Sequence, residues 1–507
     1  MSTKTTIYVA SAGTGKTTKL TELLSECLKK TTPDKICFTT FTKAAAVEAI
    51  NRCLEKHPKY TEKDFSAFST LHALCYRRIP RKQMLNLQDY KLMGELTGYK
   101  MSGVSSLYDY IDESSMYIAK GDRLLQYNSL MRNMQQSANE TLVGQLNTNF
   151  TGQELDDFSK FYKAYKLKQN KYDFTDQLET FLELQIKIDV EYLFVDEAQD
   201  LSPLQWNIIE LISKEVKQVY IAGDDKQSIY KFSGGSPTSL IKKKGNRIVL
   251  DTSYRLPQNI LEYAQKVADQ ISEKQDYSVK SKQVDNKGKV HRIRTIEDLP
   301  LDQGSWFFLC RNKIMMSIFE TILLKRNFIF ISSNKNSLFN KRQIFFIKLW
   351  EKLRLGYKYK ASLLKELYRN YLPTGSVVAK GFKNTLDSMP DNNMYDKNDL
   401  VNDFGLKTLA KWDIVFRLSD LAKQRLLNAE ERNVFDRITQ IEVNTIHGSK
   451  GREADNVVVL PDMTSASYHT YKTDPDNEHR VFYVACTRAK QNLYIHQPVT
   501  NRFYKLV

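Results

Sequence analysis

No two cysteines of this chain are spaced Cys-x-x-Cys. The six thiols are scattered at positions 27, 37, 53, 75, 310 and 486, which argues against a structural zinc or iron–sulfur site and makes reduced thiols the expected state. Long hydrophobic runs are missing as well. None approaches the ~20 residues that a membrane span requires. The opening stretch, MSTKTTIYVAS, lacks the basic segment and apolar core of a secretory signal. No repeat period or long low-complexity tract stands out, which sets aside solenoids and disordered arrays. What is present is ordinary globular material in quantity: 507 residues, 41% hydrophobic and 26% charged. That is too long for one core and suits about two to four domains. Lys and Arg total 75 against 59 Asp and Glu, a formal net charge of +16. A polyanionic partner fits that balance, although a solvated basic surface explains the charge alone equally well.

The apolar runs fall into strand–loop–helix units. Ile7 to Ala10, Ile36 to Phe41, Tyr192 to Val195 and Val219 to Ala222 read as short buried strands, with helices starting at Thr17 and running from Ala44 to Leu54. Such units imply a parallel sheet whose ligand sits at the carboxyl ends of the strands. A second α/β region begins near Tyr254, with strands expected at Val290 to Arg294, Trp306 to Cys310 and Val457 to Leu460. Residues 80–165 and 350–437 are helical in pattern and read as insertions into the first and second sheets.

Two segments carry chemistry. Ala10, Ser11, Ala12, Gly13, Thr14, Gly15, Lys16, Thr17 and Thr18 follow a strand and open a helix. The backbone N–H groups of such a loop can wrap a phosphate chain. Gly13 and Gly15 permit the tight turn, Lys16 can reach the β- and γ-phosphates, and Thr17 can hold Mg²⁺. A Gly-Lys-Thr can arise by accident in a turn, but the strand before it and the helix after it argue otherwise. The run from Tyr192 to Asp200 delivers Asp196 and Glu197 at the end of an apolar strand. Asp196 suits Mg²⁺, and Glu197 suits activation of the attacking water.

The DEAQD of residues 196–200 resembles the superfamily 1 helicases, and other segments are similar to their motifs in the same order. TFTKAAAVEAINR at 40–52 resembles TFTxxAAxExxxR. FSTLHALC at 68–75 resembles TxHxxC, and DFTD at 173–176 resembles the DFxD of the UvrD/Rep branch. AGDDKQSIYKFSGG at 222–235 resembles GDxxQSIYxFRGA, and SYR at 253–255 resembles NYR. TIHGSKGRE at 445–453 resembles TIHxSKGLE, and EHRVFYVACTRA at 478–489 resembles ExRRLxYVAxTRA. The phosphate loop itself is similar to that of RecB-like members.

The resemblance implies an α/β fold of two RecA-like parallel-sheet motor domains, each with a mainly helical insertion. The first motor would comprise 1–79 and 166–255 with its insertion at 80–165. The second would comprise 256–349 and 438–507 with a short insertion at 350–437. ATP and Mg²⁺ would be bound across a cleft between the motors. Gln227 would sense the γ-phosphate, Tyr254 would stack on adenine, and Arg255 would reach the γ-phosphate. Glu453 would contact the nucleotide, and Arg488 would act as an arginine finger. Phe41, Tyr230 and Phe232 match positions that stack on bases, a sequence-independent way to hold a single strand. Thr42, His72 and His447 fall in segments that the family places near DNA. For the two histidines a structural hydrogen-bonding role is as good a reading.

The implied activity is ATP-driven translocation on single-stranded DNA, or DNA unwinding, with 3′→5′ movement. Tailed duplexes and junctions would be substrates, and a protein in a repair, replication or defence complex would be a partner. No membrane role is implied. The expected location is the cytoplasm of a bacterium or phage-infected bacterium, given the Lys-, Asn- and Tyr-rich composition. Two other readings stand beside this one: a DNA-stimulated ATPase serving as a switch subunit, and a non-enzymatic DNA-binding scaffold. The complete set Lys16, Asp196, Glu197 and Arg488 argues against the last. The pattern departs from the family in three places. No Gln occurs in the nine residues before Ala10, where relatives carry an adenine-reading Gln, so weak discrimination of ATP from GTP is expected. Ser233 stands where the family has Arg. The second insertion is short, and no nuclease module is visible after Arg488.

Overall fold

The structure, a computed structural model, describes residues 4–102, 119–143, 148–283, 285–333, 339, 341–382, 386–431 and 440–507. Parts of both expected insertions, at 103–118, 144–147, 383–385 and 432–437, lie outside the described residues. The chain divides into two compact units. The first contains Met1–Arg292, Ser449–Glu453 and Val459–Val507, and the second contains Ile293–Gly448 and Ala454–Val458.

The first unit is built on a six-stranded sheet. Its strands are β1 (Lys4–Val9), β2 (Ile36–Thr40), β3 (Phe68–Thr70), β4 (Tyr192–Val195), β5 (Gln218–Gly223) and β6 (Asn246–Val249), in the order β3-β2-β4-β5-β1-β6. Every pairing is parallel. Side chains alternate between faces along a strand, so a sheet covered on both sides must supply two cores. Ile7, Val9, Leu193, Val195, Val219 and Ile221 enter one core together with Leu74, Phe181, Ile208 and Ile209. Tyr8, Phe38, Phe194 and Ala222 enter the other, with Leu20, Leu24 and Ala49. That double burial explains why the strands read as continuous apolar runs.

The register places the site. Ile7 pairs with Ile221, Ile221 with Val195, and Val195 with Thr39. The strands therefore finish level with one another, and the loops beginning at Ala10, Phe41, Asp196 and Asp224 leave the sheet along one carboxyl edge. The expected strands and helices are present with ends moved by a few residues, since the helices run Lys16–Cys27 and Lys43–Lys56.

The described residues of 85–102, 119–143 and 148–165 form a small helical body with its own core of Tyr90, Met93, Leu124, Phe150, Leu155, Phe158 and Tyr162. Its longest helices are Lys120–Met134 and Gly152–Gln169. The latter has a capping box from Thr151 and Glu154. A buried charge cluster ties this body to the sheet-bearing part. Arg132 and Lys166 both pair with Asp173 and Asp176, and Arg132 also pairs with Glu179.

A second six-stranded sheet comprises β7 (Lys289–Ile293), β8 (Trp306–Cys310), β9 (Ile331–Ser332), β10 (Ile441–Thr445), β11 (Ala454–Leu460) and β12 (Ala489–His496), in the order β7-β12-β11-β8-β10-β9. β8, β10 and β9 of the second unit pair in parallel. The fold is thus mixed α/β with two six-stranded sheets, as a pair of RecA-like folds requires. The helical part of the second unit packs around Trp350, Trp412, Tyr368, Leu364 and Leu426. Its helix Lys341–Arg354 buries Ile344, Phe346, Ile347, Trp350 and Leu353 along one stripe. Among the described residues, no helix is long and apolar enough to cross a membrane.

Candidate active site

The phosphate-loop geometry follows from its glycines. Gly13 and Gly15 have φ of 74° and 79°, a left-handed backbone that other residues adopt only with strain. At Gly13 a Cβ would also lie 2.5 Å from the Arg255 Cβ. The loop feeds the helix Lys16–Cys27, whose first N–H groups are unsatisfied within the helix and point at the loop mouth.

Lys16 and Thr17 meet the two carboxylates that follow β4. Lys16 Nζ donates to Glu197 Oε2 at 3.1 Å, and Thr17 Oγ1 donates to Asp196 Oδ2 at 3.3 Å. Burial and the adjacent Glu197 raise the Asp196 carboxyl above the usual carboxylate range. Burial acts on Glu197 in the same direction, but the Lys16 and Lys450 ammoniums outweigh it and hold Glu197 low. With Lys16 still paired to Glu197, the two neighbours have opposite protonation tendencies, Asp196 towards the neutral acid and Glu197 towards the carboxylate. Glu197 also sits at φ 54°, a strained conformation for a residue with a Cβ. Gln199 Nε2 anchors its side chain, donating to Glu197 Oε2 at 2.5 Å.

Thr17 and Asp196 fit a divalent cation. Their oxygens are adjacent, Asp196 is raised by burial and by the neighbouring Glu197 charge, which a bound cation would offset, and a hard cation of this kind takes few protein ligands and keeps several waters. Among the described residues there is no group of three or more His, Cys, Asp or Glu side chains that could hold a metal ion.

The cations expected to reach the γ-phosphate lie in the same unit. Arg488 is 1% exposed. Its Nη2 donates to Gln227 Oε1 at 3.0 Å, and its Nε donates to Val484 O at 2.9 Å. Burial, then the nearby Arg255, lowers its guanidinium to about 10. Arg255 pairs with Glu453. Tyr254 is 57% exposed and its N–H donates to Gly13 O at 2.9 Å, placing an open aromatic face beside the loop. Lys282 Nζ lies 4.9 Å from that ring. Thr18 is exposed on the first turn of the helix.

Of the residues assigned to DNA, three cluster. Phe41 and Tyr230 stack with centroids 4.7 Å apart, and Phe232 meets Tyr230 edge-on at 5.9 Å. Thr42 caps the helix Lys43–Lys56, its hydroxyl accepting from Ala45 N at 3.2 Å. His72 lies edge-on to Phe174 at 6.3 Å, and burial lowers it to about 4, so it is neutral at physiological pH. His447 is buried and belongs to the second unit. Ser233 bonds locally, its Oγ donating to Tyr230 O at 2.9 Å.

Four residues given no role from sequence are built into this site. Lys450 Nζ donates to Asp200 Oδ2 at 2.5 Å and to Gln227 O at 2.7 Å, and lies 4.8 Å from the Tyr230 ring. It thus joins the carboxylate loop to the aromatic stack. Asp200, its partner, is raised by burial to about 6. Tyr277 donates to Ala10 O at 2.5 Å, and the Tyr483 hydroxyl lies 2.7 Å from Ser11 Oγ. Lys450, Asp200 and Tyr483 fall inside segments singled out by resemblance, where their charge or hydroxyl was the available signal. Tyr277 lies in a polar stretch with no such signal.

Residues 1–248 match the family described as UvrD/REP helicase N-terminal domain, and residues 379–498 match the UvrD-like helicase C-terminal domain. The chain belongs to the UvrD/Rep family of superfamily 1 helicases. It is 25% identical to a "Probable DNA helicase II homolog" of Mycoplasma pneumoniae over 53% of this chain and 41% of that protein. It is 26% identical to an "ATP-dependent DNA helicase Rep" of Buchnera aphidicola subsp. Schizaphis graminum over 67% of this chain and 56% of that protein. A "Probable DNA helicase II homolog" of Mycoplasma genitalium matches at 23% identity over 96% of this chain and 82% of that protein. For the first two relatives the chain spans about half of their length.

Proposed function

We propose that the protein hydrolyses ATP and uses the energy to move along, and unwind, DNA. The observation that carries this reading is the assembly of Lys16, Thr17, Asp196 and Glu197 at one sheet edge, with Arg488 bonded to Gln227 in the same unit. Backbone N–H groups of the loop and Lys16 bind the β- and γ-phosphates. Thr17 and Asp196 hold Mg²⁺, which when bound neutralises phosphate charge. Phosphate oxygens compete with Glu197 for Lys16. Released from that pair, Glu197 orients the attacking water and accepts its proton. Gln227 and Arg488 stabilise the charge that develops on the transferring group. Arg255 and Glu453 line the nucleotide, and Tyr254 stacks on its base. Losing the γ-phosphate removes the common anchor of Lys16, Gln227 and Arg488, and Lys450 passes that change to Tyr230.

Single-stranded DNA is the track, held by Phe41, Tyr230 and Phe232 through stacking and by lysines and arginines through phosphate contacts. Junctions and tailed duplexes are the proposed substrates, with 3′→5′ movement. A repair, replication or defence complex is the proposed setting, in the cytoplasm of a bacterium or phage-infected bacterium. The motor and insertion ranges stated above are the proposed division of labour. Lys16→Ala tests the core of this reading. The variant should lose hydrolysis and keep single-strand affinity within about threefold, since the lysine neutralises nucleotide charge and not DNA charge. Normal turnover by this variant would remove the loop from the mechanism.

A further inference from the structure

The phosphate loop is pinned from behind at four successive residues. Tyr277 OH donates to Ala10 O at 2.5 Å, the Ser11 and Tyr483 hydroxyls lie 2.7 Å apart, Ser253 Oγ donates to Ala12 O at 2.9 Å, and Tyr254 N donates to Gly13 O at 2.9 Å. Three of these contacts use a loop carbonyl, which any residue supplies. The Ser11–Tyr483 contact is the exception, because it needs a hydroxyl on the loop.

Both partners are 1% exposed. A hydroxyl pair sealed from water keeps close to the full strength of its hydrogen bond, and losing the Ser11 hydroxyl leaves the buried Tyr483 hydroxyl with the Ala12 backbone alone. Tyr483 stands near the end of the helix Pro475–Cys486, and Arg488 follows directly after that helix. Arg488 Nε bonds back to Val484 O at 2.9 Å, so the guanidinium is fixed to the same last turn that carries Tyr483. The other end of the guanidinium meets Gln227. One rigid helical turn therefore touches the phosphate loop through Tyr483 and the γ-phosphate sensor through Arg488.

We propose that the Ser11–Tyr483 hydroxyl pair is a latch that sets Arg488 in register with the phosphate loop, making Tyr483 a positioning residue that acts through Arg488. The latch rests on the ATP-hydrolysis reading above. An alanine or glycine at position 11 cannot form it, so the loop sequence and the tyrosine are functionally coupled.

The test is a double-mutant cycle of Ser11→Ala and Tyr483→Phe in the full chain. It measures kcat and KM for ATP with saturating single-stranded DNA, together with thermal unfolding. Each single variant should lower kcat about tenfold while KM moves less than about twofold, the worth of one buried hydrogen bond realised in the transition state. The double variant should be no slower than either single. In an Arg488→Ala background, Tyr483→Phe should leave the residual rate, read by single turnover, within about twofold. Additive losses, an unchanged kcat, or an undiminished tenfold loss without Arg488 would overturn the latch. If Tyr483→Phe folds poorly, Ser11→Ala opens the same contact from the loop side and must give the same kcat loss. A wild-type chain that does not hydrolyse ATP, or an Arg488→Ala variant at full rate, would instead defeat the underlying reading.

Discussion

At the scale of single residues, the chemistry depends on a few buried charges whose neighbours decide their state. Arg488 is the clearest case. It is sealed from solvent and held by Gln227 and three other nearby oxygens, so its guanidinium is already oriented. Arg488→Ala should reduce kcat by roughly 10³-fold, the scale on which arginine fingers act. A loss under about threefold would place Arg488 outside the reaction. The carboxylates give a pH dependence. Asp196 is raised by burial and by Glu197, so its proton persists above the ordinary aspartate range, and Mg²⁺ binding must displace it. Apparent affinity for Mg²⁺·ATP should therefore weaken as pH falls from about 7 to about 5, with proton release on binding in that range. Calorimetry in buffers of different ionisation enthalpy reads this directly, and Asp196→Asn should abolish the released proton. Proton uptake in its place would show that the raised group is not at the metal position. Lys16, Asp196 and Glu197 were legible in the sequence because the phosphate loop and the acidic strand end are local patterns. Lys450 and Tyr277 were not, because their partners Asp200 and Ala10 lie 250 and 267 positions away and meet only in the fold.

At the scale of elements, the sheet edge does the assembling. Level strand ends bring four loops side by side, so side chains far apart in sequence converge without any one loop being long. The strands were readable from their continuous apolar runs, and the loops from the Gly and Asp that end them. The helix Lys341–Arg354 was less legible: its buried stripe packs with Trp412, a partner some sixty positions on that no local pattern announces. The junction of the phosphate loop with the segment Thr252–Pro257 is equally specific. Gly13 has a left-handed backbone, and its missing Cβ leaves room for Arg255. Gly13→Ala should raise KM for ATP more than about tenfold and cost more than about 2 kcal/mol of stability, from left-handed strain of about 1–2 kcal/mol plus the close contact. Equilibrium unfolding and steady-state kinetics measure the two effects. An unchanged KM would mean that the loop tolerates a shift away from Arg255.

At the scale of the whole molecule, the net charge of +16 and the stacked pair Phe41–Tyr230 point to the same ligand by different physics. Single-strand affinity should fall steeply with salt and vary little with base sequence, because counterion release and ring stacking do not read base edges. Fluorescence anisotropy with homopolymeric and mixed oligonucleotides at several salt concentrations checks both. A strong preference for one short sequence at fixed salt would count against stacking as the grip. The most direct single measurement pairs the ATP hydrolysis rate, with and without single-stranded DNA, with unwinding of duplexes tailed at either end. A motor should hydrolyse ATP faster on single-stranded DNA and unwind only the 3′-tailed duplex. Hydrolysis that ignores DNA, with neither duplex opened, would contradict it.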